Sequence, residues 1–133
     1  MSGTSKGGTS VDVGQSTANA LYQEATAGTF KMEPEAARRC ANVYVRFIGT
    51  TINPQIKSAQ LLTQLTGFGD FQSAKDLQSG FSSKASSLID ALNSMKTAAL
   101  TMAAAYLRAA QLIDDTEAAN AHAIEGAISG GSK

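Results

Sequence analysis

The sequence predicts an all-α protein: an antiparallel helical hairpin with heptad packing, preceded by an extra short N-terminal helix and completed into a bundle by a second chain. Three observations predict it. Apolar residues recur at alternating steps of three and four through residues 81–113, at Phe81, Ala85, Leu88, Leu92, Met95, Ala99, Met102, Tyr106, Ala109 and Ile113, without a missed position. Such spacing holds one seam of a helix against a facing helix, because under-winding to ~3.5 residues per turn cancels the drift of the stripe. A second helical periodicity of similar length precedes it, and a glycine-bearing segment joins the two.

Residues 1–14 mix Gly, Ser and Thr with almost no apolar content, a composition that cannot offset its own ordering entropy and reads as a disordered arm. Residues 15–28 read as a short helix, with Ala18, Leu21, Tyr22 and Ala25 on one face and Gly28 as its stop. The domain proper spans residues 30–125. Its first long helix begins at Pro34, which suits a first helical turn, with Glu33 and Glu35 at the positive end of the dipole. The buried stripe is read as Ala37, Cys40, Ala41, Tyr44, Ile48, Ile52, Ile56, Ala59 and Leu62. Pro54 falls inside it and removes a backbone hydrogen bond. A kink is favoured over a break, since the apolar spacing resumes in phase.

Gly67, Phe68 and Gly69 mark a tight helix-to-helix turn, with Asp70 and Ser73 as candidate N-caps. The second helix is expected to run from about residue 73 to about residue 124, and residues 126–133 to form a flexible tail. With Ala85 at heptad position a, the flanking e and g positions are largely alanine: Ala91, Ala98, Ala103, Ala105 and Ala110. Alanine there lets further helices approach, which favours a bundle of more than two. Leu100 and Leu107 lie off the seam and, with Ala103 and Ala104, form a second apolar strip. Either the short helix folds back over it or it docks on another protein, and the partner contact is the expectation.

Composition narrows the function. Eleven basic and eleven acidic residues leave no net charge, which argues against an electrostatic grip on nucleic acid or on an acidic membrane surface. No segment approaches the ~20 apolar residues of a membrane span, and the N-terminus carries no apolar core of a secretory signal. Cys40 has no second cysteine to pair with and no ligand-spaced neighbours, so it reads as a small buried hydrophobe.

No cofactor, metal or catalytic constellation is expected. The single His122 sits in an alanine-rich stretch near the end of the chain, without a nucleophile or an orienting group at hand. Asp114, Asp115 and Glu117 lack a loop of carbonyl ligands and read as a solvated acidic face. The GTSKGGTS stretch has its lysine in the wrong order for a phosphate loop. Arg38 and Arg39 are read as solvent-facing.

The layout resembles the WXG-type and related small helical-hairpin proteins of the type VII (ESX-like) secretion systems of actinobacteria. The resemblance rests on GFGDF (67–71), SAKDLQSGF (73–81), AAAYLRAAQLIDDTEAAN (103–120) and the opening TFKMEPEAARRC (29–40). It implies a non-enzymatic hairpin that pairs with a like hairpin, or with itself, as a component or co-secreted partner of such a pathway. Cytoplasmic residence before export, possible secretion with a partner, and contact with secretion machinery or a toxin's helical domain come with it. A cytosolic targeting chaperone for a larger secreted toxin, and a helical adaptor unrelated to secretion, are the alternatives.

Two departures are instructive. Phe68 and Gly69 stand where the family has a Trp-x-Gly turn. The family's secretion signal, Tyr-x-x-x-Asp/Glu, has no literal counterpart; Ile113 and Glu117 keep its spacing and its carboxylate without the tyrosine. The chain is therefore expected to accompany a signal-bearing partner.

Overall fold

The computed structural model describes residues 12–64, 66, 67 and 69–130; these are all-α and contain no strand. Five α-helices follow in order: α1 (Gln15–Ala27), α2 (Pro34–Phe47), α3 (Asn53–Leu62), α4 (Gln72–Ala109) and α5 (Ala121–Gly130). The expected arm of residues 1–14 falls outside the described residues except for its last three, and those are structured. The Asp12 carboxylate accepts the backbone N–H groups of Gly14, Gln15 and Ser16 at 3.1, 2.7 and 3.2 Å, capping α1 from outside. The hydrogen bond from the Ser16 hydroxyl, ahead of these backbone bonds, holds the Asp12 carboxyl below its ordinary range. At the far end Gly28, at φ 86°, stops α1 with a left-handed turn.

Pro34 opens α2 as its sequence predicts. The expected kink at Pro54 takes a specific form: a π-helical turn over Ile48–Ile52, in which the Asn53 N–H reaches back to the Ile48 carbonyl. The extra residue moves Pro54 into the first turn of α3, where its missing N–H is harmless.

α4, at 38 residues, spans about 57 Å and is the axis of the molecule. α2 and α3 pack along it in the opposite direction: Tyr44 stacks on Tyr106 at 5.9 Å, while Ile48 and Ile52 cluster with Leu92 and Ala99. α1 lies parallel to α4 on another flank, with Gln15 beside Thr101 and Tyr22 beside Asp115. Residues 28–33 cross the end of α4, pinned by the Met32 N–H on the Ala109 carbonyl at 3.3 Å and by Phe30 edge-on to Tyr106.

The second helix ends well short of the expected residue 124. After Ala109 the chain makes a Schellman turn, with Leu112 N–H on Leu107 O at 2.9 Å, Gln111 N–H on Arg108 O at 3.0 Å, and Gln111 at φ 60°. The chain doubles back through a short 3₁₀ turn, Glu117–Ala119, and α5 then packs on α2 and α4. The stretch expected to be a flexible tail is thus helical to Gly130. Arg38, expected in solvent, donates from Nε to the Ala127 carbonyl at 3.1 Å.

Among the described residues, twelve of the eighteen buried hydrophobic residues are alanine, and Ile52, Leu107 and Ile124 are the largest side chains fully enclosed. Methyl-sized side chains let helix axes approach toward the ~8 Å end of the packing range. The core is therefore thin and concentrated around the C-terminal half of α4.

Candidate interaction surface

Among the described residues, four helices and the 3₁₀ turn enclose the lower half of the molecule, while its upper end consists of α3 and the N-terminal half of α4 alone. The face that α4 turns to α3 there is Gln78, Ser82, Ala85, Ile89 and Leu92, all buried or half-buried. The larger apolar residues sit one flank away. Leu77, Phe81 and Leu88 are 54%, 45% and 43% exposed and follow one another at helical spacing, with Lys84 as the one charge among them. Leu61, Leu62 and Phe71, at the same end, are also exposed.

This divides the expected seam. Ala85, Leu92, Ala99, Ala109 and Ile113 are buried, and Met95, Met102 and Tyr106 half-buried, whereas Phe81 and Leu88 face outward. The physical reason is that α3 sits over positions a and e of α4, leaving position d to whatever lies on the next flank. Below Met95 that neighbour is α1. Of the expected turn, Gly67 and Gly69 take left-handed φ values of 84° and 105°, which suit glycine, and Phe68 lies outside the described residues. Asp70 and Ser73 do not cap α4, whose N-cap position is Phe71 without a side-chain bond.

Where the open stripe passes under the start of α1 it deepens into an apolar groove of about 300 Å³. Val13, Gly14 and Thr17 wall it on one side, Tyr44 and Phe47 on another, and Met95 and Met102 floor it.

The strip expected to meet a partner lies inside the chain instead. Leu107 and Ala103 are wholly buried, Ala104 nearly so and Leu100 half-buried, in a cluster with Ile113 and Ile124 against which Tyr22, Leu112 and Ile128 pack. The helix break at Gln111 is responsible, because it returns α5 over the surface a continuous helix would have left bare.

Ile113 and Glu117 both lie beyond the same break, outside any α-helix. Ile113 is buried in the turn, while Glu117 starts the 3₁₀ element and trades backbone hydrogen bonds with Asp114: Asp114 N–H to Glu117 Oε1 at 3.0 Å, Glu117 N–H to Asp114 Oδ1 at 2.8 Å. They do not share a helical face. Asp115 is likewise engaged, accepting the Tyr22 hydroxyl and, at 3.1 Å, the Arg108 Nε. The Tyr22 bond first, and then Arg108, hold its carboxyl below the ordinary range. Tyr22 is raised above its ordinary value by burial and then by that carboxylate.

This Tyr22–Asp115–Arg108 cluster was not legible in the sequence, since it exists only because the chain reverses at Gln111. Among the described residues no group of three or more His, Cys, Asp or Glu is placed to hold a metal ion, and no helix is long and apolar enough to cross a membrane. No protein-family model, curated protein or solved structure matches the chain.

Proposed function

We propose that the protein is a non-enzymatic helical hairpin that pairs with a like hairpin or with itself, as a component or co-secreted partner of a type VII-like secretion pathway. The observation that carries the pairing is the exposed stripe Leu77, Phe81 and Leu88 at the end where two helices stand alone. Two helices without a third cannot cover both sides of each apolar flank, and a second helical pair laid on this face would. At helix widths of ~10 Å, two helices over ~30 Å offer roughly 600 Å² per partner, within the range of small specific interfaces. The link to secretion rests on the likeness of layout to the WXG-type proteins.

Light scattering of the full chain, alone and co-expressed with a WXG-type helical hairpin, tests the pairing. A dimer is expected, and Leu77→Asp with Leu88→Asp should abolish it while leaving helicity intact, because the charges would sit unpaired in an apolar contact. A chain that stays monomeric in both settings removes the proposal.

A further inference from the structure

We propose that the junction of α2, α4 and α5 is a binding site for a small zwitterion of dipeptide size, whose carboxylate meets Lys96 and whose ammonium meets Glu125. The site is independent of the pairing of hairpins, since it shares no residue with the stripe Leu77, Phe81 and Leu88. A hollow of about 280 Å³ lies there, walled by Val45, Ile48 and Asn53 on one side, Lys96 and Leu100 on a second, and Glu125 on a third. This is the low end of the ~300–1,000 Å³ that small-molecule sites span, which sets the size of the ligand.

The hollow has its cause in the local backbone. The π turn Ile48–Ile52 closes its hydrogen bond over one more residue than an α-helix does, and Gly49, within that turn, stands on the wall. A Cβ at Gly49 would meet no atom within 4 Å. Each helix turns one face to the hollow, with lining residues one turn apart: Val45 and Gly49, Lys96 and Leu100, Ala121 and Glu125.

The two charges lie toward opposite ends. α4 runs against α2, with Tyr44 on Tyr106 and Ile52 clustered with Leu92, so Lys96 stands level with the π turn, on the side of Asn53. α5 also runs against α2, because Arg38 near the start of α2 holds the carbonyl of Ala127; Glu125, two residues earlier, is therefore displaced toward that start. Lys96 is half-buried, and neither it nor Glu125 makes a hydrogen bond or ion pair with a described residue. A carboxylate brought to a half-buried ammonium is held more strongly than in open water. An α-amino acid carries both charges on one carbon and reaches one end only. A dipeptide separates them by a peptide unit, and its side chains lie along Val45, Ile48 and Leu100, while the Asn53 amide donates at the carboxylate end.

Two-dimensional NMR of the full chain titrated with leucyl-leucine tests the site. Saturable shifts are expected at the amides of residues 45–53, 96–100 and 121–125. Free leucine, and leucyl-leucine blocked by N-acetyl and C-amide groups, should each bind at least tenfold more weakly. Lys96→Met and Glu125→Gln should weaken the unblocked dipeptide by at least the same factor. Gly49→Leu, which puts a side chain into the hollow, should abolish binding while the helicity seen by circular dichroism stays that of the parent. No saturable shift at those amides would overturn the proposal. So would equal binding of the blocked and unblocked dipeptides, or binding by Lys96→Met and Glu125→Gln as tight as the parent's.

Discussion

Asp115 ties α1 to the turn after α4, and its two donors set the pH range over which the tie holds. Its lowered pKa contributes stability that is present above the ordinary carboxylate value of 3.8 and is lost as pH falls through the folded value. Tyr22 is the opposite case. Its raised pKa contributes stability that is complete below the ordinary value of 10.0 and is lost as pH rises through the folded one. The tie should therefore be intact from about pH 4 to about pH 10. Asp115→Asn should lower the Tyr22 titration midpoint, read from its ring-carbon NMR shifts, without restoring the ordinary value, because burial is the larger cause. A midpoint that does not move would mean the hydrogen bond is not made in solution. Gln111 is the other telling residue. Its left-handed φ of 60° is costly to any side chain, so Gln111→Gly should stabilise the fold by about 1 kcal/mol in urea denaturation.

At the scale of elements, the sequence spoke clearly where a residue has one physical role. Gly28 and Pro34 bounded α1 and α2 as read, and the apolar steps 44, 48, 52 and 56 contained more than was taken from them. Three consecutive steps of four drift off an ideal α-helical face, and the π turn at Ile48–Ile52 supplies the additional residue that keeps them on one side. Pro54 accordingly stands just past the π turn, in a backbone that stays helical through Ile52 and Asn53. Pro54→Ala should change stability by less than about 1 kcal/mol in chemical denaturation, where relief of an interior proline would give about 3. The end of α4 was not legible, because residues 109–116 contain neither glycine nor proline and the heptad continues through them to Ile113. Local pattern favoured continuation; burial of Leu107 and Ile124 against each other's neighbours favoured reversal, and a pattern read along one helix has no access to that. For the same reason it placed Phe81 and Leu88 inside, since a heptad records which residues want cover without recording what covers them.

For the molecule as a whole, the reversal at Gln111 bears on the export proposed above. A signal built from a ring and a carboxylate one helical turn apart presents both on one face. Here Ile113 is buried and Glu117 is engaged with Asp114. The chain should therefore leave a cell with an active type VII system only when a signal-bearing partner is co-expressed, as judged by immunoblotting the medium. Its appearance there alone would place the signal elsewhere.

The alanine-rich interior also decides how this protein can be damaged. The usual survey, in which each side chain is cut back to a methyl group, finds nothing to remove at Ala18, Ala37, Ala41, Ala103, Ala104 or Ala105, and would report few critical positions beyond Ile48, Ile52, Leu92, Leu107, Ile113 and Ile124. The vulnerable direction is growth. Ala41→Leu or Ala103→Leu must force apart helices whose separation is set by a single carbon atom, and each should cost at least 1 to 3 kcal/mol by thermal melting, comparable to the roughly 2 to 5 expected for Ile52→Ala. Tolerance at those alanines would mean that the helices can part at little cost; intolerance would mean that this chain's variation is confined to side chains that shrink or to surfaces that face outward.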